Sequence, residues 1–369
     1  MSPKEHVKSG ELPPLYASAL KELSLHPAWT QIRELTPLGK PIRQAKAAIW
    51  RYADVRAKLI EAGRIVPIEL AERRVLGLAN PGMSRLATTP SIFAGMQLIL
   101  PGEKAPSHRH TPAAARLIVE GEGGFTVVNG VKLPMSPGDL ILTPPHHWHE
   151  HRHEGLDPVV WLDLLDHPVG IPLETSYLVE APAGHRTDTH VSEEPDPSET
   201  RYRTAGLVPY RRPDLPPLPY PMMRYSWRNV RDALEATARS NDRNEPVHLM
   251  YVNPETGQSA LRTVCFSARL LRPGEEVSIP RNSTSAVFHV VEGDGEAQID
   301  GSDFSWTSHD TIASPTFADV KLRNKSASRG AFVIQADDGP LQHKLDFYEP
   351  FEAKTHDNRR THDDGSGGL

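Results

Sequence analysis

A chain of 369 residues, 38% of them hydrophobic, carries apolar material for more than one core, so two domains or one duplicated domain is expected. A net charge of -6 and a pI near 6.3 leave no basic footprint, which argues against nucleic acid or an anionic membrane as partner. The single cysteine, Cys265, excludes a disulfide framework, and no apolar run is of membrane-spanning length or resembles a leader peptide, so a soluble, cytoplasmic protein with a buried structural thiol is expected.

Residues 1–85 begin with helical text. In AAIWRYADVRAKLIEAG (47–63), Ile49, Tyr52, Ala53, Leu59 and Ile60 fall on one helical face, Gly63 is the expected stop, and leading strands follow. From 86 to 170 short alternating apolar runs are broken by PGEK, VNG, SPGD and TPPH, the punctuation of a small antiparallel barrel or sandwich. Residues 171–244 are rich in proline and acidic groups, as in SEEPDPSET (192–200) and RRPDLPPLPYP (211–221). They read as a long, partly extended inter-barrel connection closed by one amphipathic helix, WRNVRDALEATARS (227–240). Strand-like text resumes near Val247 and gives a second unit over 245–349, before a charged tail at 350–369 that is expected to be disordered.

The two strand-rich stretches repeat each other. PGEKAPSHRH (101–110) aligns with PGEEVSIPRN (273–282) and IVEGEG (118–123) with VVEGDG (290–295), an offset of 172 residues; PGD (137–139) then aligns with SHD (308–310) after one residue is dropped. Such self-similarity predicts tandem barrels.

In a strand, residues i and i+2 share a face, so His108 and His110 can present both imidazoles to one point inside a barrel. A third ligand must come from elsewhere, and the best source is TPPHHWHEH (143–151), which would pair antiparallel with the strand bearing the first two. The spacing from Gly102 to His108 and His110, and from Gly138 through Pro144 to His149, resembles the two motifs of the cupin superfamily. That resemblance implies a mainly β bicupin: two tandem jelly-roll-like barrels with N-terminal helices and a proline-rich connection. It makes His149 the third ligand; the alternative of His151 as ligand and His149 as helper fits the Pro144 spacing less well. Many cupins add a glutamate four residues after the second histidine, where this chain has Ala114, leaving three neutral imidazoles and open positions for a bidentate anion and dioxygen. At the repeat positions of His108 and His110 stand Pro280 and Asn282, and SPTFADVKL replaces TPPHHWHEH, so the second barrel is expected to be metal-free, with His289 and His309 structural or superficial.

HRHTPAAARLIVEGEGGFTVVNG, PGDLILTPPHHWHEH, VVWLDLLDHP and ERRVLGLANPG (72–82) together resemble the gentisate and salicylate 1,2-dioxygenase family, over about 29–348. The resemblance implies one Fe(II) per subunit in the first cupin, O2 as co-substrate, and a small aromatic carboxylate with an ortho-hydroxyl, opened between C1 and C2 with insertion of both oxygen atoms. It also implies a homotetramer. By motif position it places Arg116, Arg73 and Gln97 at the substrate, with surface ion pairing the plainer reading for Arg73, Arg74 and Arg116. On a strand continuing from His110, Arg116 would share the metal face. His151 matches an acid/base or dioxygen-orienting group and Asp163 the carboxylate that orients it; His146, His147 and His153 have no matching role and read as pocket-edge or surface residues. WHEHRH, LDLLD with Leu164 in place of a frequent glycine, and Ala113 to Ala115 depart from the usual pattern, which leaves the ring substituent at position 5 open. Two other readings are a cupin isomerase or diketone dioxygenase, and a non-catalytic small-molecule-binding cupin.

Overall fold

The computed structural model describes residues 12–71, 74–182, 196–212, 214–242 and 244–351. It divides into two compact units, residues 1–44 and 45–369. The first holds α1 (Pro14–Glu22), a single 3-10 turn (Ala28–Thr30) and α2 (Ile32–Leu35). None of the three buries a residue.

In the second unit, β1 (Ala48–Trp50) leads into α3 (Tyr52–Ile65) and the short α4 (Ile68–Ala71). The first barrel follows: β2 (Arg74–Gly77), β3 (Phe93–Ile99), β4 (Lys104–His110), β5 (Ala114–Glu120), β6 (Gly124–Val128), β7 (Val131–Pro134), β8 (Leu140–Thr143), β9 (His149–His153) and β10 (Val159–Leu165). The connection supplies α5 (His167–Gly170), β11 (Leu178–Glu180), α6 (Pro197–Arg201), β12 (Arg224–Tyr225) and α7 (Trp227–Ser240). The second barrel runs through β13 (Val247–Met250), β14 (Cys265–Leu271), β15 (Glu276–Ile279), β16 (Ala286–Glu292), β17 (Asp294–Ile299), β18 (Ser302–Thr307), β19 (Thr311–Ser314), β20 (Val320–Asn324) and β21 (Ala331–Asp337), then α8 (Gly339–Lys344).

Each barrel is a sandwich of two antiparallel sheets. The first has orders β12-β8-β5-β10-β3-β2 and β11-β4-β9-β6-β7; the second has β1-β19-β16-β21-β14-β13 and β15-β20-β17-β18. Alternation decides what each strand buries. On β5, Ala115, Leu117 and Val119 point outward into a cluster that also holds Leu59 of α3, Leu234 of α7 and Phe266 and Ile334 of the second barrel. Ile118, on the opposite face, packs inside the first barrel with Ile99, Ile141 and Trp161. A separate interior cluster around Phe288, Trp306 and Ile312 fills the second.

The repeat is visible strand by strand. β3 and β14, β5 and β16, and β10 and β21 each start 172 residues apart (Phe93 and Cys265, Ala114 and Ala286, Val159 and Ala331). The edges are exchanged: β1 pairs with β19 of the second barrel, Ile49 opposite Ile312, whereas β12 pairs with β8 of the first, Tyr225 opposite Leu140. This corrects the helix expected over 47–63. Ala48–Trp50 is a strand because Ile49 packs in the interior of the second barrel, a tertiary contact that overrides helical periodicity. Nor does Gly63 stop the helix. It lies inside α3 where a Cβ would sit 3.0 Å from Leu98, so it permits close packing on β3.

The connection is less plain than expected, since β11 lies along β4 and β12 along β8. The end of the second unit is helical rather than strand-like, and Pro350 and Phe351, expected in a disordered tail, pack: Asn282 and Pro350 form a bridge and Phe351 N–H donates to the Arg281 carbonyl at 2.9 Å. The rest of the tail, and Arg73, lie outside the described residues. Among the described residues no helix is long and apolar enough to cross a membrane.

Candidate metal centre and active site

β4 and β9 run antiparallel with His108 opposite His149, after a bulge between Ala105 and His108. This register puts the three expected ligands together: one nitrogen from each of His108, His110 and His149 lies within 4.8 Å of the others. Among the described residues no other group of three or more His, Cys, Asp or Glu is so arranged.

The second nitrogen of each ring explains the convergence. Nδ1 of His108 meets the Pro106 carbonyl at 3.0 Å, Nδ1 of His110 the Pro112 carbonyl at 2.8 Å, and Nδ1 of His149 the His147 carbonyl at 2.9 Å. A carbonyl can only accept, so each Nδ1 carries a proton, and in the neutral ring this tautomer leaves the lone pair on Nε2, the state a divalent metal requires. Nε2 of His149 is buried without a hydrogen-bond partner. Burial first, then the Arg116 charge and the neighbouring imidazoles, holds the His149 pKa well below that of an ordinary imidazole, so it is neutral at physiological pH. The donor set thus fits a divalent metal. Ala114, fully buried where a carboxylate ligand would stand, adds no charge.

Arg116 faces the same interior by a different route from the one expected. The strand does not continue from His110; the chain turns at 111–113 and enters the other sheet as β5, whose inward face carries Ala114, Arg116 and Ile118. Arg116 is 4% exposed, lies opposite Asp163 on β10, and forms an ion pair with it at 3.3 Å. Its Nη1 also donates to the Thr143 hydroxyl. The surface reading is therefore wrong for Arg116. It is wrong for Arg74 too, which is buried and holds Glu103 through both terminal nitrogens at 2.6 Å.

His151 is fully buried, its ring 5.9 Å from that of His149 and 5.2 Å from that of Trp161, with Nδ1 3.0 Å from the Thr126 hydroxyl. Gln97 is buried on β3 opposite Trp161. Thr126, Thr143 and Trp161 are the site residues that sequence reasoning passed over. Their only signal was a hydroxyl, or an indole, on the inward alternation of an otherwise apolar strand. His153, expected at the pocket edge or the surface, is buried and fastens a loop through Nε2 to the Asp157 carbonyl and Nδ1 from Gly155 N–H. His289 is also buried, with Nδ1 on the Thr311 hydroxyl.

With this geometry in hand, the chain compares clearly with known proteins. Residues 95–165 match the family model of a cupin domain. The chain is 44% identical over 344 residues to a gentisate 1,2-dioxygenase of Ralstonia sp., covering 92% of this chain and 94% of that protein. To a 5-aminosalicylate 1,2-dioxygenase of Comamonas sp. it is 33% identical over 333 residues, 88% of this chain and 86% of that protein. The crystal structure of a salicylate 1,2-dioxygenase variant from Pseudoaminobacter salicylatoxidans in complex with gentisate matches with a TM-score of 0.83 at 30% identity, covering 91% and 94% of the two chains.

Proposed function

The chain belongs to the gentisate 1,2-dioxygenase family of ring-cleaving dioxygenases, and from that premise we propose that it uses Fe(II) to open gentisate or another 5-substituted salicylate between the carboxylate-bearing C1 and the hydroxyl-bearing C2. The observation that carries this reading is a face of three neutral imidazoles inside the same barrel as a buried arginine. Arg116 and Asp163 offset each other, so a divalent metal on neutral ligands leaves a doubly positive cavity, which a carboxylate and a phenolate on one ring complete. His108, His110 and His149 would hold ferrous iron, which when bound would supply Lewis acidity and a one-electron couple for chemistry with dioxygen.

The other residues position and protonate. Arg116 binds the substrate carboxylate, with Asp163 and the Thr143 hydroxyl fixing its guanidinium. Gln97 contacts polar groups of the ring. With Nδ1 directed at Thr126, His151 exchanges its proton with the reacting oxygens through Nε2. Asp163 acts as a positioning residue, and Trp161 beneath His151 helps exclude water. The metal-bearing barrel, 86–170, is the catalytic unit, and the second barrel, 245–349, has no metal. Four copies form the working oligomer, a reading supported by the exposed Leu15, Trp29, Leu35 and Leu38 of the first unit.

Oxygen uptake by the Fe(II)-loaded protein tests the reading. Uptake is expected to begin only when a 1-carboxy-2-hydroxy aromatic is added, and kcat/KM across gentisate, salicylate, 5-aminosalicylate and 5-nitrosalicylate then selects the ring substituent. If none of these triggers uptake, the proposal fails.

A further inference from the structure

The second barrel lacks the histidines but not the cavity. An opening of about 980 Å³ leads into it, lined by Arg269, Gln335, Asp337, Val277, Ile279 and Cys265 among others. The repeat locates these groups: Arg269 occupies the place of Gln97 and Gln335 that of Asp163, each 172 residues on, and Arg269 lies opposite Val333 as Gln97 lies opposite Trp161. Phe288 stands at the place of Arg116. The cation of this barrel has therefore moved two strands across the sheet, from β16 past β21 to β14, while the metal corner has become Pro280 and Asn282.

Arg269 is 7% exposed. Its Nη2 donates to Gln335 Oε1 at 3.3 Å, and its buried Nε has no hydrogen-bond partner. The nearby Asp337 carboxylate attracts the guanidinium by charge but makes its hydrogen bonds elsewhere, accepting from Gln335 Nε2 at 2.9 Å and from Gly339 N–H at 3.0 Å. On the same inward face of β14, the Ser267 hydroxyl is also buried without a partner. Burial pulls the Arg269 guanidinium down to about 10, still a cation at neutral pH. Arg262 and Lys344 add positive charge to the cavity lining, against the one carboxylate of Asp337. A buried cation with an unsatisfied donor, beside an unsatisfied hydroxyl and apolar walls, is costly unless an anion completes it.

We propose that the second barrel is a metal-independent binding site for a small organic carboxylate, whose charged end meets Arg269 and whose apolar body lies against Val277 and Ile279. The site is separate from the iron reading of the first barrel and stands without it.

Benzoate is the probe, because it has a carboxylate and an apolar body but no ortho-hydroxyl to chelate a metal. Equilibrium dialysis with labelled benzoate is carried out on the full metal-loaded chain and on two variants. Binding is expected to persist in Arg116→Met, which disables the first barrel's anion site, and to weaken by at least about tenfold in Arg269→Met. Absence of binding to Arg116→Met, or undiminished binding to Arg269→Met, overturns the proposal. Should Arg269→Met fail to fold by circular dichroism, the unaltered protein still decides. Cys265 is the sole thiol and lines the same cavity, so saturating benzoate should slow its modification by a thiol reagent several-fold, and an unchanged rate refutes the site.

Discussion

His108, His110 and His149 each commit Nδ1 to a backbone carbonyl, whereas Nδ1 of His151 meets a threonine hydroxyl that can donate or accept. That difference distinguishes the three proposed ligands from the proposed proton carrier among four histidines that look alike in sequence. His149→Ala is expected to reduce bound iron per subunit, measured by atomic emission, to near zero. His151→Ala should keep its iron and turn over roughly 10²-fold to 10⁴-fold more slowly; normal turnover would remove its proposed role. Histidines remote from the metal set a pH dependence of stability. Burial lowers His289 from 6.5 to about 3 in the folded chain. The unfolded chain therefore binds a proton that the folded chain refuses, and the stability is complete above pH 6.5 and lost as pH falls toward 3, by roughly 1.4 kcal/mol per pH unit. The midpoint of urea unfolding should fall over that range, and His289→Gln should flatten the slope; parallel slopes would exclude His289 as a source.

At the scale of elements, the exchanged edges are fixed by the aspartates that the repeat preserves in PGD and SHD. Asp139 of the first barrel accepts from Trp227 N–H at 2.8 Å, at the N-terminus of α7, and from Nε and Nη2 of Arg224 at 2.9 and 2.6 Å. Asp310 of the second does the same for α3, accepting from Tyr52 N–H at 2.8 Å and Arg51 Nη1 at 2.9 Å. Each carboxylate thus caps the helix of the other repeat and meets its dipole. Packing is complementary at the two junctions. Gly138, at φ +87°, faces Trp227 so closely that a Cβ would sit 2.3 Å from its Cγ, whereas His309 at the matching position meets the smaller Tyr52 edge-on at 5.3 Å. Removing the aspartates should not be equivalent. Arg224 is 14% exposed and Arg51 37%, so Asp139→Ala takes a carboxylate from the more buried cation and leaves it only Glu199, at 2.7 Å. We expect a loss of about 3 kcal/mol for Asp139→Ala and about 1 to 2 kcal/mol for Asp310→Ala in chemical denaturation. The reverse order would show that the helix N–H, not the arginine, dominates.

For the molecule as a whole, one apolar cluster joins both barrels. Phe266, fully buried on β14 of the second barrel, shares it with Leu162 of the first. Residues 45–351 should therefore unfold as a unit. Phe266→Ala is expected to cost about 3 to 5 kcal/mol, and iron release from the first barrel should then coincide with loss of β-sheet circular dichroism. Iron retained by a partly unfolded chain would mean that the barrels are independent. The duplication, the helix at Trp227–Ser240 and the convergence of His108, His110 and His149 were all legible in sequence, because each is written in local alternation or in short motifs at fixed spacing. Sequence could not say that β1 belongs to the second barrel, that Arg116 reaches the metal cavity from the opposing sheet, or that Thr126 and Thr143 hold its polar groups. Alternation tells which face of its own strand a residue occupies, and nothing about which strand will lie beside it or which sheet will cover it. Those choices were made by tertiary packing, through pairs such as Ile49 with Ile312 and Asp139 with Arg224 that lie far apart in the chain.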